Sequence, residues 1–382
     1  MRIAIDARVT QDYTGGVTPG TRVPEDYKGG FTTYILNLLR VLKKIDRKNK
    51  YFYCTHKKNK LLKGIKWWRT WVPLDNHIIG DPWEQFFLPI ELAQKSIDIY
   101  HATTGKLPLL KFNTKYVLTV YDLNIIRVPE FVGSRKFVLY AKLHFFNAVK
   151  RADKIIAISQ STKKDLMQLL GVEEKKIKVI LLGIDEKYCV LDISTCSKFL
   201  RNKYGIIKNY ILVVGVFNPR KNLQRLFMAH QKLRNKGINN ILVVVGFRGW
   251  RSQEILESVE DGILFVENVS AEQMPYFYNC ADLFVYPSLY EGFGLPVLEA
   301  MACGTPVAAS RATSIPEVVG DAGLLFDPLN VDEITNTMWK ILTDAELRQD
   351  LRNKGLERVK LFSWEKTARE TLALYEDVIE GE

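Results

Sequence analysis

The chain has 382 residues, which at about 150 residues per domain allows two or three domains with separate cores; its 47% hydrophobic and 25% charged residues exclude a disordered, collagen-like or disulfide-scaffold protein. No apolar run approaches the roughly 18 residues of a membrane-spanning helix, and with the strand-like Arg2–Ile5 at the start neither a secretory signal nor a membrane anchor is expected; five cysteines without a CxxC pairing fit a reducing cytoplasm rather than a zinc site or disulfide frame. The net charge of +11 is uneven: residues 1–190 hold 33 Lys/Arg against 18 Asp/Glu, whereas residues 191–382 hold 21 against 25, so the first half alone attracts anionic partners over long range.

Strand-like apolar runs alternate with helix-period segments, the pattern of a parallel sheet covered by helices. A first strand is predicted over Ile3–Ala7. After a Gly-rich loop, Phe31, Tyr34, Ile35, Leu38, Leu39 and Leu42 recur at helical spacing, followed by a basic end from Lys43 to Lys50. Further strands are predicted at Tyr51–Thr55, Ile97–His101, Tyr116–Tyr121 and Lys154–Ser159, with Ser159 or Ser161 capping a helix that begins near Thr162. A second set of strands is predicted at Tyr210–Gly215, Ile241–Gly246, Ile263–Val266, Leu283–Pro287 and Pro306–Ala309. Between the sets, Gly183 to about Lys208 lacks periodicity and reads as a linker. The expected architecture is α/β: two doubly wound, Rossmann-like domains facing across a cleft, with ligands beyond the carboxyl ends of the strands.

The most informative string is Glu291-Gly292-Phe293-Gly294-Leu295-Pro296-Val297-Leu298-Glu299, which follows a predicted strand and opens a helix. Pro296 suits a first helical turn, where its missing N–H is not needed. Gly292 and Gly294 permit close backbone approach, and the free N–H groups at the helix start suit a phosphate or sugar oxygen. Glu291 and Glu299, eight residues apart, are placed to accept hydrogen bonds from sugar hydroxyls. Taken alone, the two glutamates fit a turn and a helix surface equally well.

The whole string resembles the E-x7-E signature of a large family of retaining glycosyltransferases (family 4, "glycosyl transferases group 1"), which includes bacterial mannosyl-, glucosyl- and rhamnosyltransferases of GT-B fold. The resemblance extends through Gly29-Gly30-Phe31, the Gly215–Asn222 turn, Ala281–Ser288, Pro316–Gly323 and Phe362-Ser363-Trp364. It implies an acceptor-binding domain over residues 1–186, a linker over 187–208, a nucleotide-sugar domain over 209–363, and a C-terminal helix, 364–382, crossing back to the first domain.

The resemblance also assigns roles. Gly215, Arg220 and Lys221 match donor-binding positions, the two cations on the pyrophosphate, where fixed positive charge stabilises a departing nucleoside diphosphate. Glu299 matches the residue on the ribose hydroxyls and Glu291 the one on the donor sugar, beside the backbone of Phe293, Gly294 and Leu295; Val269 matches a position against the base. Gly29 and Gly30 match the loop over the phosphates and acceptor, whereas Gly15-Gly16 falls in an insertion, 11–27, read as a lid. His101 ends a strand where many relatives carry His and is a catalytic candidate. The family's His-Asp-Leu reads Tyr121-Asp122-Leu123 here, so Tyr121 is expected on a donor oxygen and Asp122 on the acceptor hydroxyl, with no histidine base at that strand end. No Asp-x-Asp occurs in the sequence, so no metal or other cofactor is expected; Arg220 and Lys221 take the charge.

These features imply a hexosyltransferase that uses a nucleoside diphosphate sugar, GDP-mannose in the first instance and a UDP-sugar in the alternative, with a glycan or lipid-linked acceptor. The stretch Lys57–Trp71 interleaves lysines with Leu61, Leu62, Trp67, Trp68 and Trp71, a composition suited either to an anionic bilayer or to a core strand beside a solvated loop. A cytoplasmic enzyme peripheral to the inner face of the membrane is the expectation. Nucleic-acid binding, the other use of a basic aromatic face, is disfavoured because the domain pattern is not that of an RRM, KH or OB module.

Overall fold

The computed structural model describes residues 1–8, 10, 29–56, 58–70, 82–131, 135–207, 209–249, 251–257 and 261–381. Gly15-Gly16 with the 11–27 insertion, Lys57, Trp71 and the Leu61 side chain lie outside the described residues.

Two all-parallel sheets form the framework. The first contains β1 (Arg2–Asp6), β2 (Lys50–Thr55), β3 (Lys66–Arg69), β4 (Ile99–Ala102), β5 (Lys115–Val120), β6 (Lys154–Ala157) and β7 (Ile177–Val179), in the order β3-β2-β1-β4-β5-β6-β7. The second contains β8 (Tyr210–Phe217), β9 (Ile241–Arg248), β10 (Ile263–Glu267), β11 (Leu283–Tyr286), β12 (Val307–Ser310) and β13 (Leu324–Phe326), in the order β10-β9-β8-β11-β12-β13. The near-continuous apolar runs of β8 and β9 follow from burial of both sheet faces under helices. Each order reverses once, between β1 and β4 and between β8 and β11, and ligands of open parallel sheets sit outside the strand ends at such a reversal.

The predicted strands are present, with ends shifted by at most two residues. β3 corresponds to the core-strand alternative for the tryptophan stretch, whereas β7 and β13 are not predicted: each lies at a sheet edge and has only three residues, too few for a pattern to register. The 183–208 stretch is not irregular throughout. It contains the helix Ile193–Tyr204, capped by Asp192, which accepts from the Thr195 N–H at 2.8 Å, and closed by left-handed Gly205. This helix buries only Cys196 and Leu200, one turn apart, against the helix Met274–Cys280, a stripe too narrow to read as periodicity. Ser159 caps the helix Gln160–Leu170.

The two described indoles of the Lys57–Trp71 stretch, Trp67 and Trp68, do not face solvent as a bilayer contact requires. Trp68 is buried in β3 with its N–H on Glu91, and half-buried Trp67 donates to Thr55 Oγ1 at 3.0 Å. The strand consumes these side chains in packing, while Lys58, Lys60 and Lys63 remain exposed.

The last helix, Trp364–Glu380, packs along the helix Gly30–Ile45 of the first domain and buries Trp364, Ala368, Thr371, Tyr375 and Val378 at helical spacing. Its Tyr375 hydroxyl lies 2.6 Å from His101 Nδ1, and His101 Nε2 lies 2.7 Å from Thr119 Oγ1, which in turn meets the Tyr34 hydroxyl at 3.0 Å. His101, expected as a catalytic candidate, is therefore a fully buried core residue that fastens the last helix to β4 and β5. Burial pushes its pKa down to about 3 from 6.5, so the folded state holds the neutral ring.

The unfolded chain binds the His101 proton first on acidification, so this contribution to stability is complete above pH 6.5 and falls as pH drops toward 3. His101→Gln lacks the proton site; between pH ~6.5 and ~4.5 the wild type should lose roughly 2–3 kcal/mol more stability than the variant in urea titrations, and parallel acid slopes would contradict this assignment.

Candidate active site

The strand ends of both domains enclose a cavity of ≈ 310 Å³. Most of the residues singled out in the sequence line it together: Gly30, Tyr121, Asp122, Gly215, Arg220, Lys221, Val269, Glu291, Phe293, Gly294, Leu295 and Glu299. Gly29 stands just outside as the N-cap of the Gly30–Ile45 helix, and His101 does not reach the cavity.

Arg220 and Lys221 are presented by a single 3-10 turn, Pro219–Lys221. Asn218 starts the turn by accepting from the Lys221 N–H, and left-handed Asn222 ends it. The Asn222 amide donates to the carbonyls of Pro287 and Pro328, so the turn is tied to the loops that follow β11 and β13. Gly215 leaves space for the lysine, since a Cβ there would lie 2.9 Å from Lys221 Cε.

Glu291 faces this pair from the loop after β11. Its Oε2 lies 2.8 Å from Arg220 Nη1 and its Oε1 2.8 Å from Lys221 Nζ. Burial alone would raise the carboxyl pKa, but the two cations outweigh burial and hold it down to about 2. Burial pulls Lys221 below the ordinary lysine range even with Glu291 beside it, and Arg220 adds repulsion. Lys221 also donates to the Tyr286 hydroxyl at 2.8 Å and sits over that ring, 4.6 Å from its centroid. The Glu291 backbone is fixed from the next loop: Thr313 Oγ1 accepts its N–H and donates to its carbonyl, and Ser314 Oγ bonds the carbonyls of Glu291 and Phe293.

The helix Leu295–Ala302 begins at the cleft behind left-handed Gly294, and Gly294, Leu295 and Pro296 at its start line the cavity. Glu299 lies one turn in. Tyr278 donates to its Oε2 at 2.7 Å and Tyr188 also bonds it, yet burial still raises its pKa. On the opposite wall, burial raises the Asp122 carboxyl against the pull of Arg220. The site thus gathers two fixed cations, a carboxylate between them, and a carboxyl across the cleft, an arrangement able to stabilise a diphosphate while orienting hydroxyl groups.

Sequence reasoning did not single out Tyr188, Tyr278, Thr313 or Ser314, and Tyr286 entered only as a member of the Ala281–Ser288 string, with no role. Each acts by holding a named side chain or loop from a distant part of the chain, and no local motif marks such a partner. Among the described residues, no group of three or more His, Cys, Asp or Glu side chains is placed to hold a metal ion, and no helix is long and apolar enough to cross a membrane.

Comparison with known proteins agrees with this geometry. Residues 28–188 match the model described as Glycosyltransferase Family 4, and residues 197–358 match Glycosyl transferases group 1. Over 283 residues the chain is 34% identical to the O-antigen chain mannosyltransferase B of Escherichia coli, covering 72% of this chain and 74% of that protein. Sucrose-phosphate synthase from Thermosynechococcus elongatus superposes with a TM-score of 0.76 at 22% identity over the whole of both chains. The Anabaena protein HepE, solved in complex with UDP and glucose, superposes with a TM-score of 0.73 at 18% identity over 99% of this chain and 100% of that one. The shared fold is GT-B.

Removing the carboxylate from between two buried cations leaves charge without a partner, which costs about 3–5 kcal/mol. Glu291→Gln should lower the melting temperature of the free enzyme, and inorganic pyrophosphate should raise it by more in the variant than in the wild type. Equal stability of the two proteins, or equal pyrophosphate shifts, would contradict the ion cluster.

Proposed function

The chain belongs to the group 1, family 4 glycosyltransferases, and from that membership we propose that it moves mannose, with retention, from GDP-mannose to a hydroxyl of a glycan or lipid-linked acceptor in the synthesis of a cell-surface polysaccharide or glycolipid. The mannosyl assignment is supported by the relative in E. coli, whose name is that of an O-antigen chain mannosyltransferase. The observation that carries the chemistry is the Arg220–Lys221–Glu291 cluster at the floor of the cleft.

In this reading the diphosphate takes the place of Glu291 as the counter-ion of Arg220 and Lys221. As the glycosidic bond breaks, the leaving phosphate gains charge that the two cations already face, so little reorganisation is needed. Glu291, released from one or both cations, turns to the donor sugar hydroxyls, Glu299 holds the ribose, and Val269 lies by the base. Asp122 orients the acceptor hydroxyl, Tyr121 bonds a donor oxygen, and the leaving phosphate receives the acceptor proton on the same face. Two protein cations meet the charge requirement that a divalent metal meets elsewhere, which supports a metal-independent reaction.

We also propose that the enzyme works on an anionic bilayer. Support comes from a face other than the tryptophan stretch. The helix Arg135–Arg151 exposes Leu139, Leu143 and Phe146 at 62%, 63% and 47%, one stripe at spacings of four and three. The 105–112 loop lies along this helix through Lys106 to the Tyr140 hydroxyl and Asn147 to the Leu107 carbonyl, and it adds exposed Leu110 and Phe112. Residues 101–151 contain nine Lys/Arg and two Asp/Glu, the charge that complements anionic head groups.

Thermal unfolding with GDP, UDP, ADP and dTDP, with EDTA and then with magnesium, tests the donor. GDP should stabilise by about 2.7 kcal/mol at about 100 times its dissociation constant, with no change on adding metal. A shift with UDP in its place would move the donor to the UDP-sugars, and no shift with any nucleotide would contradict the donor site. For the membrane face, Leu143→Glu with Phe146→Glu should abolish sedimentation with phosphatidylglycerol vesicles. Continued pelleting, or a wild-type dimer that dissociates in the double variant, would contradict bilayer docking through this stripe.

A further inference from the structure

The loop that carries Glu291 is fastened to the opposite domain by the residue just before it. Tyr290 is buried, and its hydroxyl crosses the domain boundary to donate to Asp165 Oδ2 at 2.8 Å on the Gln160–Leu170 helix. The same oxygen accepts the Leu123 N–H at 3.1 Å, immediately after Asp122. One hydroxyl thus uses its single proton and a lone pair to join the segment of Glu291 to the segment of Asp122. On the other side, Arg220 Nη1 donates to the Tyr290 carbonyl at 2.7 Å, so the cation and the strut grip the same residue.

Two neighbouring contacts keep this junction closed. Gly292 lies so near the acceptor domain that a Cβ would sit 1.9 Å from the Tyr121 carbonyl oxygen, a separation only glycine tolerates. Glu317, on the helix Ile315–Val319, places its two carboxylate oxygens 2.6 Å from the Ser161 N–H and 2.8 Å from the Gln160 N–H, so a donor-domain carboxylate occupies the start of an acceptor-domain helix. Tyr290, Asp165, Leu123 and Glu317 do not line the cavity. All of them fix the distance between the two halves of the site.

We infer that Tyr290 is a positioning residue for transfer: by holding Leu123 and Asp165 it sets Asp122 and the Tyr121 backbone against Glu291, so that donor and acceptor groups meet in one geometry. This rests on the roles proposed above for Glu291 and Asp122. Misplacement of reacting groups by a fraction of an ångström lowers turnover with little effect on donor binding, because the charged donor contacts assigned to Arg220, Lys221, Glu291 and Glu299 lie within one domain. Asp165 shares the function, since it receives the proton that orients the hydroxyl.

Tyr290→Phe keeps the ring and removes only the strut. Nucleotide release from GDP-mannose, with UDP-glucose as the second donor, should show kcat lowered about tenfold and donor KM within about twofold of the wild type. Asp165→Ala, which deletes the acceptor, should behave likewise, and the double variant should be no worse than the weaker single one, because both remove one interaction. Hydrogen exchange at the Leu123 amide should accelerate in Tyr290→Phe while the melting temperature stays close to that of the wild type. An unchanged kcat, additive losses, or unchanged exchange at Leu123 would overturn the inference. If the wild type releases nucleotide from neither donor, the donor assignment fails, and the Leu123 exchange alone still decides whether the strut exists.

Discussion

Two cations and a carboxylate, all largely withdrawn from water, meet at the floor of the interdomain cleft, and much of the surrounding structure serves to make that meeting tolerable. A buried cation without a counter-ion is costly, and a pair of them side by side is more so. Glu291 supplies both counter-charges with separate oxygens, each at 2.8 Å. The 3-10 turn from Asn218 to Asn222, the space left by Gly215, the Tyr286 ring beneath Lys221 and the Thr313–Ser314 clamp all hold the cluster in place. A site built this way is prepared for an anionic ligand before one arrives, because the cations are already oriented and desolvated.

The same principle separates the two candidates for acid–base work on the acceptor side. Asp122 opens onto the cavity, and its proton affinity responds to Arg220 across the cleft. His101 sits behind it in the chain Tyr34–Thr119–His101–Tyr375, with both ring nitrogens engaged and no face on the cavity. A ring so buried stays neutral and structural, and its partner on the last helix ties the C-terminus of the chain to the acceptor domain. Tyr290 and Glu317 add the second set of ties, from a donor-domain loop and a short donor-domain helix to the Gln160–Leu170 helix.

The fold was legible because parallel sheets announce themselves: strands such as Tyr210–Phe217 and Ile241–Arg248 are apolar on both faces and alternate with helices. Edge strands of three residues and the Ile193–Tyr204 helix were not, since each buries too little to leave a pattern. At the site, Arg220, Lys221, Glu291 and Glu299 stood out because they lie in contiguous strings, and the structure brings them to one cavity. The tyrosines and hydroxyls that position them come from a helix (Tyr278), a strand (Tyr286) and two loops (Tyr188, Thr313–Ser314) and carry no spacing relation to their partners. The tryptophans of β3 left two readings open for a different reason. Indoles beside lysines describe a bilayer contact and a sheet edge alike, and only the packing of Trp68 against Glu91 separates the two.

A crystal structure with GDP bound tests the central claim most directly, because the cluster must exchange one counter-ion for another. The expected result is a β-phosphate within hydrogen-bonding distance of Arg220 and Lys221, with Glu291 moved off at least one of them and no metal between protein and phosphate. A nucleotide bound elsewhere, or one whose phosphates reach neither cation while Glu291 keeps both, would contradict it.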